Sequence, residues 1–408
     1  MDLSYGPEYE TYREEVKAFL AENWPLKGEE AELGFDEQAL RFRKRAIAAG
    51  FLARNIPKRF GGSEQEADAL KGQVIREEFG RALAPMDAPG IGTMMLVPTL
   101  LERGEDWMKE KWIEDTILGH TQWCQGYSEP GSGSDLASLK TRAELVGDEW
   151  VINGQKIWTS GAKTADYMFC LCRTEPDQPK HAGISYLLID MKQPGIDVRP
   201  LRQMNGPAHF NEVFFNDVKT PRDWIVGKRG DGWLVSRTTL KHERNSIGNA
   251  AGAEAMFRGL VRLAQKSKID GEPAIANPRV RQKLVEIEGY VQAHKYSGYL
   301  QMTAGMRGEN PGTIALMNKI HSTNIGQEVA KLSFDLLGDE GLTDPSNAGA
   351  GLLGGGGGVT GWVSQYMGSL GVAIAGGTAN VQRNVIAERG LGLPRDHFAN
   401  AHKQANKA

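Results

Sequence analysis

The chain has 408 residues, enough for two or three packed domains or one large fold with an insert, and its 48 basic against 51 acidic residues leave a formal charge of −3. That balance excludes the one-sign field by which nucleic acid or an anionic membrane is bound, and points to a small molecule or another protein as partner. Three cysteines, Cys124, Cys170 and Cys172, are too few for a disulfide framework and lack metal-ligand spacing, so no metal site and a reducing compartment are expected.

The first residues, MDLSYGPEYETYREEVKAFL, are charged and amphipathic, without the cationic segment and apolar core of a secretory signal, and no stretch approaches the roughly 20 apolar residues of a membrane span. A cytoplasmic protein is expected. From Pro7 to about Leu118 apolar residues recur at helical spacing, as in Tyr12, Val16, Phe19 and Leu20, with breaks at Pro57 and Gly61-Gly62, Pro85 to Gly92, and Gly104. Residues 1–118 therefore read as a helical domain. From Gly119 the period becomes alternating, and AELVG, EWVIN, YMFCLCR, GISYLLIDM and NEVFFNDV follow at strand length, so residues 119–229 read as a β domain. Within it Asn153-Gly154, flanked by EWVI and QKIW, predicts a hairpin turn, because both turn positions need positive φ. Helical spacing returns over residues 230–408, in segments near 231–266, 278–307 and 311–337. The run Gly354 to Gly358 reads as a mobile loop, since no Lys-Ser or Lys-Thr follows as a phosphate loop requires.

Three short segments carry chemistry. QGYSEPGSGSD (Gln125 to Asp135) combines hydroxyls, an acid and turn glycines in a form that can present backbone amides to an anionic or carbonyl-rich ligand; an ordinary connecting loop has the same composition. NGQKIWTSGA (Asn153 to Ala162) sets Trp158 beside Thr159 and Ser160, where an indole can pack on a ring while hydroxyls bind its heteroatoms, although core tryptophans at strand ends are common. AIAGGTANVQRN (Ala373 to Asn384) is a glycine turn before a helix, an arrangement that aims amides at an oxyanion, yet it contains no acid, base or nucleophile.

In this order, between helical halves, these segments resemble the acyl-CoA dehydrogenase family. Ser128-Glu129-Pro130 and Gly133-Ser134-Asp135 match its TEPxxGSD-like segment, Asn153 to Ser160 its NGxKxW segment, and Phe60-Gly61-Gly62, Gly230 to Trp233 and GGTANVQRNVIAERGLGLPR extend the resemblance over almost the whole chain. The resemblance implies an α+β fold: an N-terminal helical domain, a middle β domain of barrel or sandwich form, and a C-terminal four-helix bundle. It implies FAD as cofactor, an acyl-CoA substrate, α,β-dehydrogenation to a trans-2-enoyl-CoA, and electron-transferring flavoprotein as electron acceptor. By motif match the cofactor residues are Tyr127, Ser128, Ser134, Trp158, Thr159, Ser160, Thr378 and Asn380, with Ser134 also near the thioester's pantetheine arm.

The reaction needs a carboxylate near the substrate's Cα. Many relatives place it directly before the Gly-Thr of the C-terminal motif, where this chain has Gly376. On the segment TTLKHERNSIGNAAGAEA, Leu240, Glu243, Ile247 and Ala251 share one helical stripe, and one branch of the family carries its base here, directly before an arginine. The resemblance thus implies Glu243 as the catalytic base and Arg244 beside the CoA, with Gly376 and Gly377 lining the substrate site. Glu254, eleven residues on, is the rival on this segment, and His242 points about 100° away around the helix.

KSKIDGEP (Lys266 to Pro273) lacks the arginine and phenylalanine of the usual Arg-x-x-Phe-Gly segment, and DLLGDEG (Asp335 to Gly341) alters a second element that acts across a subunit interface. These departures resemble a bacterial branch acting on bulky substrates such as CoA-linked sterol and bile-acid side chains, some members of which are α2β2 pairs. Homotetramer, homodimer and α2β2 assembly all stay open, as do a non-catalytic or co-catalytic partner subunit and a flavin oxidase or monooxygenase on the same fold.

Overall fold

The computed structural model describes residues 5–247, 250–345 and 358–394. Helices fill the first part as the apolar spacing predicts: α1 (Pro7–Asn23), α2 (Phe35–Ala48), α3 (Ala69–Arg81), α4 (Val97–Arg103) and α5 (Asp106–Leu118). Val16 and Leu20, Phe42 and Ala46, and Ile75 and Phe79 lie four residues apart, with Val74 beside Ile75, so each helix turns one stripe into a common buried cluster. The Asp68 carboxylate caps α3 by accepting from the amides of Leu70 and Lys71.

Seven strands follow: β1 (Trp123–Gly126), β2 (Arg142–Val146), β3 (Glu149–Lys156), β4 (Tyr167–Arg173), β5 (Ile184–Asp190), β6 (Ile196–Leu201) and β7 (Phe210–Pro221). They form one sheet in the order β1-β4-β2-β3-β7-β6, with β5 added beside β4. β2, β3, β7 and β6 are antiparallel neighbours, whereas β4 meets β2 through the single pair Arg142↔Arg173. The sheet curls over a core of its own, in which Cys124, Met168, Cys170 and Leu187 face Trp150, Ile152, Val213 and Phe215. The other face of β4 and β5, with Phe169, Leu171, Tyr186 and Leu188, packs against Trp112, Ile113 and Ile117 of α5. Burial on both faces explains why YMFCLCR and ISYLLID are apolar without alternation.

The hairpin expected at Asn153-Gly154 is absent. β3 runs straight through these residues, and the turn lies at Gly147-Asp148, between β2 and β3. Asn153-Gly154 instead forms a bulge where the β3–β7 register shifts. Glycine is required there because φ is 149° and a Cβ would stand 2.7 Å from Thr141 Cα. Asn153 closes the bulge through its side chain: Nδ2 donates to Asp217 Oδ1 at 2.9 Å and Oδ1 accepts from the Asp217 amide at 3.0 Å.

Beyond the sheet come α6 (Gly232–Ile247), α7 (Ala250–Lys266), the short hairpin β8–β9 (Lys268–Ile269 and Glu272–Pro273), α8 (Pro278–Met306), α9 (Thr313–Leu337), α10 (Val359–Val372) and α11 (Ala379–Val385). α7, α8 and α10 all pack on α9. Met256, Leu260, Leu284, Ile287, Val291, Val329 and Trp362 meet in their core. The chain divides into two compact units, residues 1–201 with 209–242, and residues 202–208 with 243–408. Among the described residues no helix is long and apolar enough to cross a membrane. The glycine run from Gly354, apart from Gly358, lies outside the described residues.

Candidate active site

In the first unit the two motif segments of the β domain are fastened together by a buried ion pair. Glu129 and Ser132 exchange main-chain hydrogen bonds of 3.0 Å each way, making a tight turn of Glu129-Pro130-Gly131-Ser132. The Glu129 carboxylate points inward and accepts from the amides of Lys140 (2.6 Å) and Thr141 (2.9 Å) and from Lys156 Nζ (2.8 Å). Lys156, fully buried, also donates to the Tyr127 carbonyl at 3.2 Å. Burial pushes the Glu129 carboxyl up, but the Lys156 charge and the hydrogen bonds from Lys156, Thr141 and Lys140 outweigh it and hold the group below its ordinary range. The Ile157 amide donates to the Ser128 carbonyl at 2.9 Å, so half-buried Ser128 lies alongside the Trp158–Ser160 segment. Sequence reasoning missed Glu129 and Lys156; the available signal was that each motif carries one charge next to residues that must be buried.

Trp158 adopts φ 61° and leaves 61% of its surface exposed, its ring set edge-on to Phe210 at 6.0 Å. A large aromatic residue in the left-handed region costs about 1–3 kcal/mol, and such strain is concentrated at ligand sites. Next to it Thr159 is buried, exchanging main-chain hydrogen bonds of 3.0 and 3.1 Å with Asn211. Its hydroxyl has no partner among the described residues. Ser160 and Ser134 are exposed. The Tyr127 ring is directed into the core, edge-on to Phe169 and Tyr186.

In the second unit α10 leads into a glycine turn. Ile374 and Ala375 bond back to the Gly371 carbonyl, and Gly376 and Gly377 follow at φ 62° and 94°. The Thr378 hydroxyl accepts from the Val381 amide at 3.2 Å and caps α11, while Gln382 Nε2 donates to the Gly376 carbonyl at 3.4 Å. A Cβ on Gly377 would lie 2.6 Å from that same Gln382 nitrogen. Asn380 is exposed and accepts from Arg383 at 3.2 Å.

Glu243, near the end of α6, is half-buried, and its charge acts on Lys319 of α9. The Arg244 side chain lies outside the described residues. Glu254, the rival on the neighbouring segment, pairs with Arg258 at 3.2 Å and with Lys295 at 3.6 Å. In the first unit His242 is paired with Glu102 at 3.0 Å.

Models of the acyl-CoA dehydrogenase N-terminal, middle and C-terminal domains match residues 6–120, 124–218 and 230–391. The acyl-CoA dehydrogenase IpdE1 of Mycobacterium tuberculosis is 37% identical over 95% of this chain and 99% of its own. Two solved structures have the same architecture: the ChsE4–ChsE5 complex of M. tuberculosis (29% identity, 97% of this chain and 100% of that one, TM-score 0.75) and the Tcur3481–Tcur3483 steroid ACAD (30%, 97% and 100%, TM-score 0.75). This chain belongs to the acyl-CoA dehydrogenase family and is an oxidoreductase of that class.

Proposed function

We propose that this chain carries out FAD-dependent α,β-dehydrogenation of an acyl-CoA thioester with a bulky, steroid-derived acyl group, that Glu243 is its base, and that it works in the cytoplasm as one half of an α2β2 assembly with a sister subunit. The observation that carries the reading is the pairing of a half-buried glutamate, Glu243, with a turn at Gly376 that has no side chain where many relatives carry the acid.

The first unit's residues fit the cofactor: a buried Thr159 hydroxyl without a partner among the described residues adjoins an exposed, strained indole. Trp158 would pack against the ring system, Ser128 and Thr159 or Ser160 would bond its edge, and Ser134, Thr378 and Asn380 would meet the phosphates or adenine. Bound FAD supplies the acceptor for the hydride that leaves the substrate's Cβ, and electron-transferring flavoprotein receives the electrons afterwards. Glu243 takes the Cα proton as that bond breaks, and the electron pair left behind forms the Cα–Cβ double bond. The Gly376 amide, freed of a side chain, donates to the thioester carbonyl and stabilises the charge that gathers there. Arg244 holds the CoA portion, and Gly376 with Gly377 leaves volume for a branched or ring-bearing acyl group.

Support for a steroid substrate and a sister subunit comes from the relatives named as a two-protein complex and a steroid ACAD, together with the altered segments at Lys266–Pro273 and Asp335–Gly341. The test is to purify the chain alone and together with a second acyl-CoA dehydrogenase chain of its own organism, then follow flavin content and dye reduction with butyryl-, palmitoyl- and steroid-side-chain CoA esters. Full flavin content and fast reduction by the steroid ester in the paired preparation are expected. A chain that alone binds one FAD per protomer and prefers a straight-chain ester overturns the assignment.

Trp158→Gly separates strain from binding. Removing the left-handed tryptophan should leave the melting temperature of the apoprotein unchanged or higher, while FAD affinity, measured by fluorescence titration, falls by roughly tenfold or more, the scale of one lost aromatic contact.

A further inference from the structure

Within the second unit α7, α9 and α10 close around a cavity of about 20 Å³, lined by Met256, Thr323, Gly326, Gln365, Ser369 and Val372. That is room for one water molecule or for one polar group of a ligand. Gln365 is 2% exposed and Thr323 5%. Neither end of the Gln365 amide, nor the Thr323 hydroxyl, has a hydrogen-bond partner among the described residues. The side chains of Met256 and Val372 offer no strong donor or acceptor, and Ser369 spends its hydroxyl hydrogen on the Tyr366 carbonyl at 2.7 Å. Gly326 stands in the middle of α9, where alanine is the better helix former, and a Cβ there would meet only Met256 Cε, at an ordinary contact distance of 3.8 Å. The glycine therefore relieves no clash; it keeps the space open. Gln365, Ser369 and Val372, four and three residues apart, share one stripe of α10, and Gly376 follows four residues later. From Val372 to Gln365 the helix rises about 10 Å, the length of two fused six-membered rings on a short arm.

We propose that Gln365 and Thr323 form a subsite for an oxygen substituent, alcohol or ketone, on the ring of the acyl group farthest from the thioester, and that they set the preference for an oxygenated ring over a hydrocarbon one. With the thioester carbonyl at the Gly376 amide and the rings lying along the α10 stripe, the far end of the acyl group comes to Gln365. The amide nitrogen and the Thr323 hydroxyl donate to the substituent's oxygen, and the amide oxygen accepts from it when it is an alcohol. A hydrocarbon ring in the same place leaves all three groups buried without partners, and a site of that kind rejects the analogue lacking the oxygen more strongly than pocket shape alone can.

The inference rests on the bulky acyl-CoA as substrate, and the test separates the two. CoA esters of decahydronaphthalene-propanoic acid carrying a hydroxyl, an oxo group or no substituent on the outer ring are titrated calorimetrically into the assembled, flavin-loaded enzyme, reduced beforehand so that no turnover occurs. kcat/KM is measured for the same three esters with the oxidised enzyme, and palmitoyl-CoA is the straight-chain control. The alcohol and the ketone should bind at least about 30-fold more tightly than the hydrocarbon ring, the scale of two buried hydrogen bonds. Gln365→Met keeps the length of the side chain and removes both polar ends, so it should bring the three ring esters to within about threefold of one another. The same variant should melt, free of ligand, at an unchanged or higher temperature, because no unpaired amide is left in the bundle. Thr323→Val should lose part of the preference, and it serves as the measure if the methionine variant fails to fold. Equal affinity of the parent for the three ring esters would mean that the two side chains hold water alone, and overturns the proposal, as does a preference that survives in Gln365→Met. If palmitoyl-CoA binds and none of the ring esters does, the bulky-substrate reading falls, and this inference with it.

Discussion

Glu243→Gln should bind FAD as fully as the parent and lose at least about 100-fold in acyl-CoA-dependent flavin bleaching, the usual scale for removing a general base. The substitution keeps the size of the side chain and removes its negative charge and its ability to take a proton, so a folded, yellow, unreactive protein is the expected outcome. Gly376→Glu in that background tests the geometry further. It restores an acid at the position used by many relatives, but the backbone there is left-handed at φ 62°, a conformation that glutamate adopts only with strain. Partial recovery would mean that the turn can reshape around a side chain; no recovery would mean that this turn is built for the missing side chain and for the helix-borne base. Unchanged bleaching in Glu243→Gln alone would remove Glu243 from the mechanism.

Particular residues show what could be read before the fold was in hand. The two continuous apolar runs of β4 and β5 were legible as strands because burial on two faces leaves no position for a polar residue, whereas the stripe drawn through Glu243 and Ala251 spans two helices, α6 and α7, and Ala251 is exposed. Asn153-Gly154 was misread for a physical reason. A bulge and a hairpin turn both need a residue free to take positive φ, and only the neighbour Thr141, which the glycine approaches, distinguishes them. Buried charges were the larger omission. Lys156, Glu129 and Lys319 look like any exposed charged residue in a sequence, and their burial depends on partners distant along the chain: the Lys156–Glu129 pair spans 27 positions, and Lys319 reaches 53 positions to Val372. The Tyr127 ring likewise joined the core because β4 and β5 supply Phe169 and Tyr186 beneath it.

Because both members are buried, Lys156→Met should destabilise the β domain by about 3–5 kcal/mol, the cost of leaving one member of the Lys156–Glu129 pair alone. A fall in melting temperature on the order of 10 °C is expected at pH 7. The pH dependence carries the diagnosis. In the parent, Glu129 is held below its ordinary range, so its contribution is complete above the unfolded-state pKa of about 4.3 and is lost as pH falls through the lower folded-state value. Without Lys156, burial dominates and raises the carboxyl, and a group raised on folding favours the folded state as pH falls through that raised value. The gap between parent and variant, read by calorimetry from pH 4 to 8, should therefore be widest near neutrality and narrow in acid. Lys156→Met with Glu129→Gln should recover part of the loss, because the uncompensated charge is gone. A gap that is flat with pH, or a double variant no better than the single one, would show that packing, and not the ion pair, fastens the Ser128 turn to the Trp158 segment.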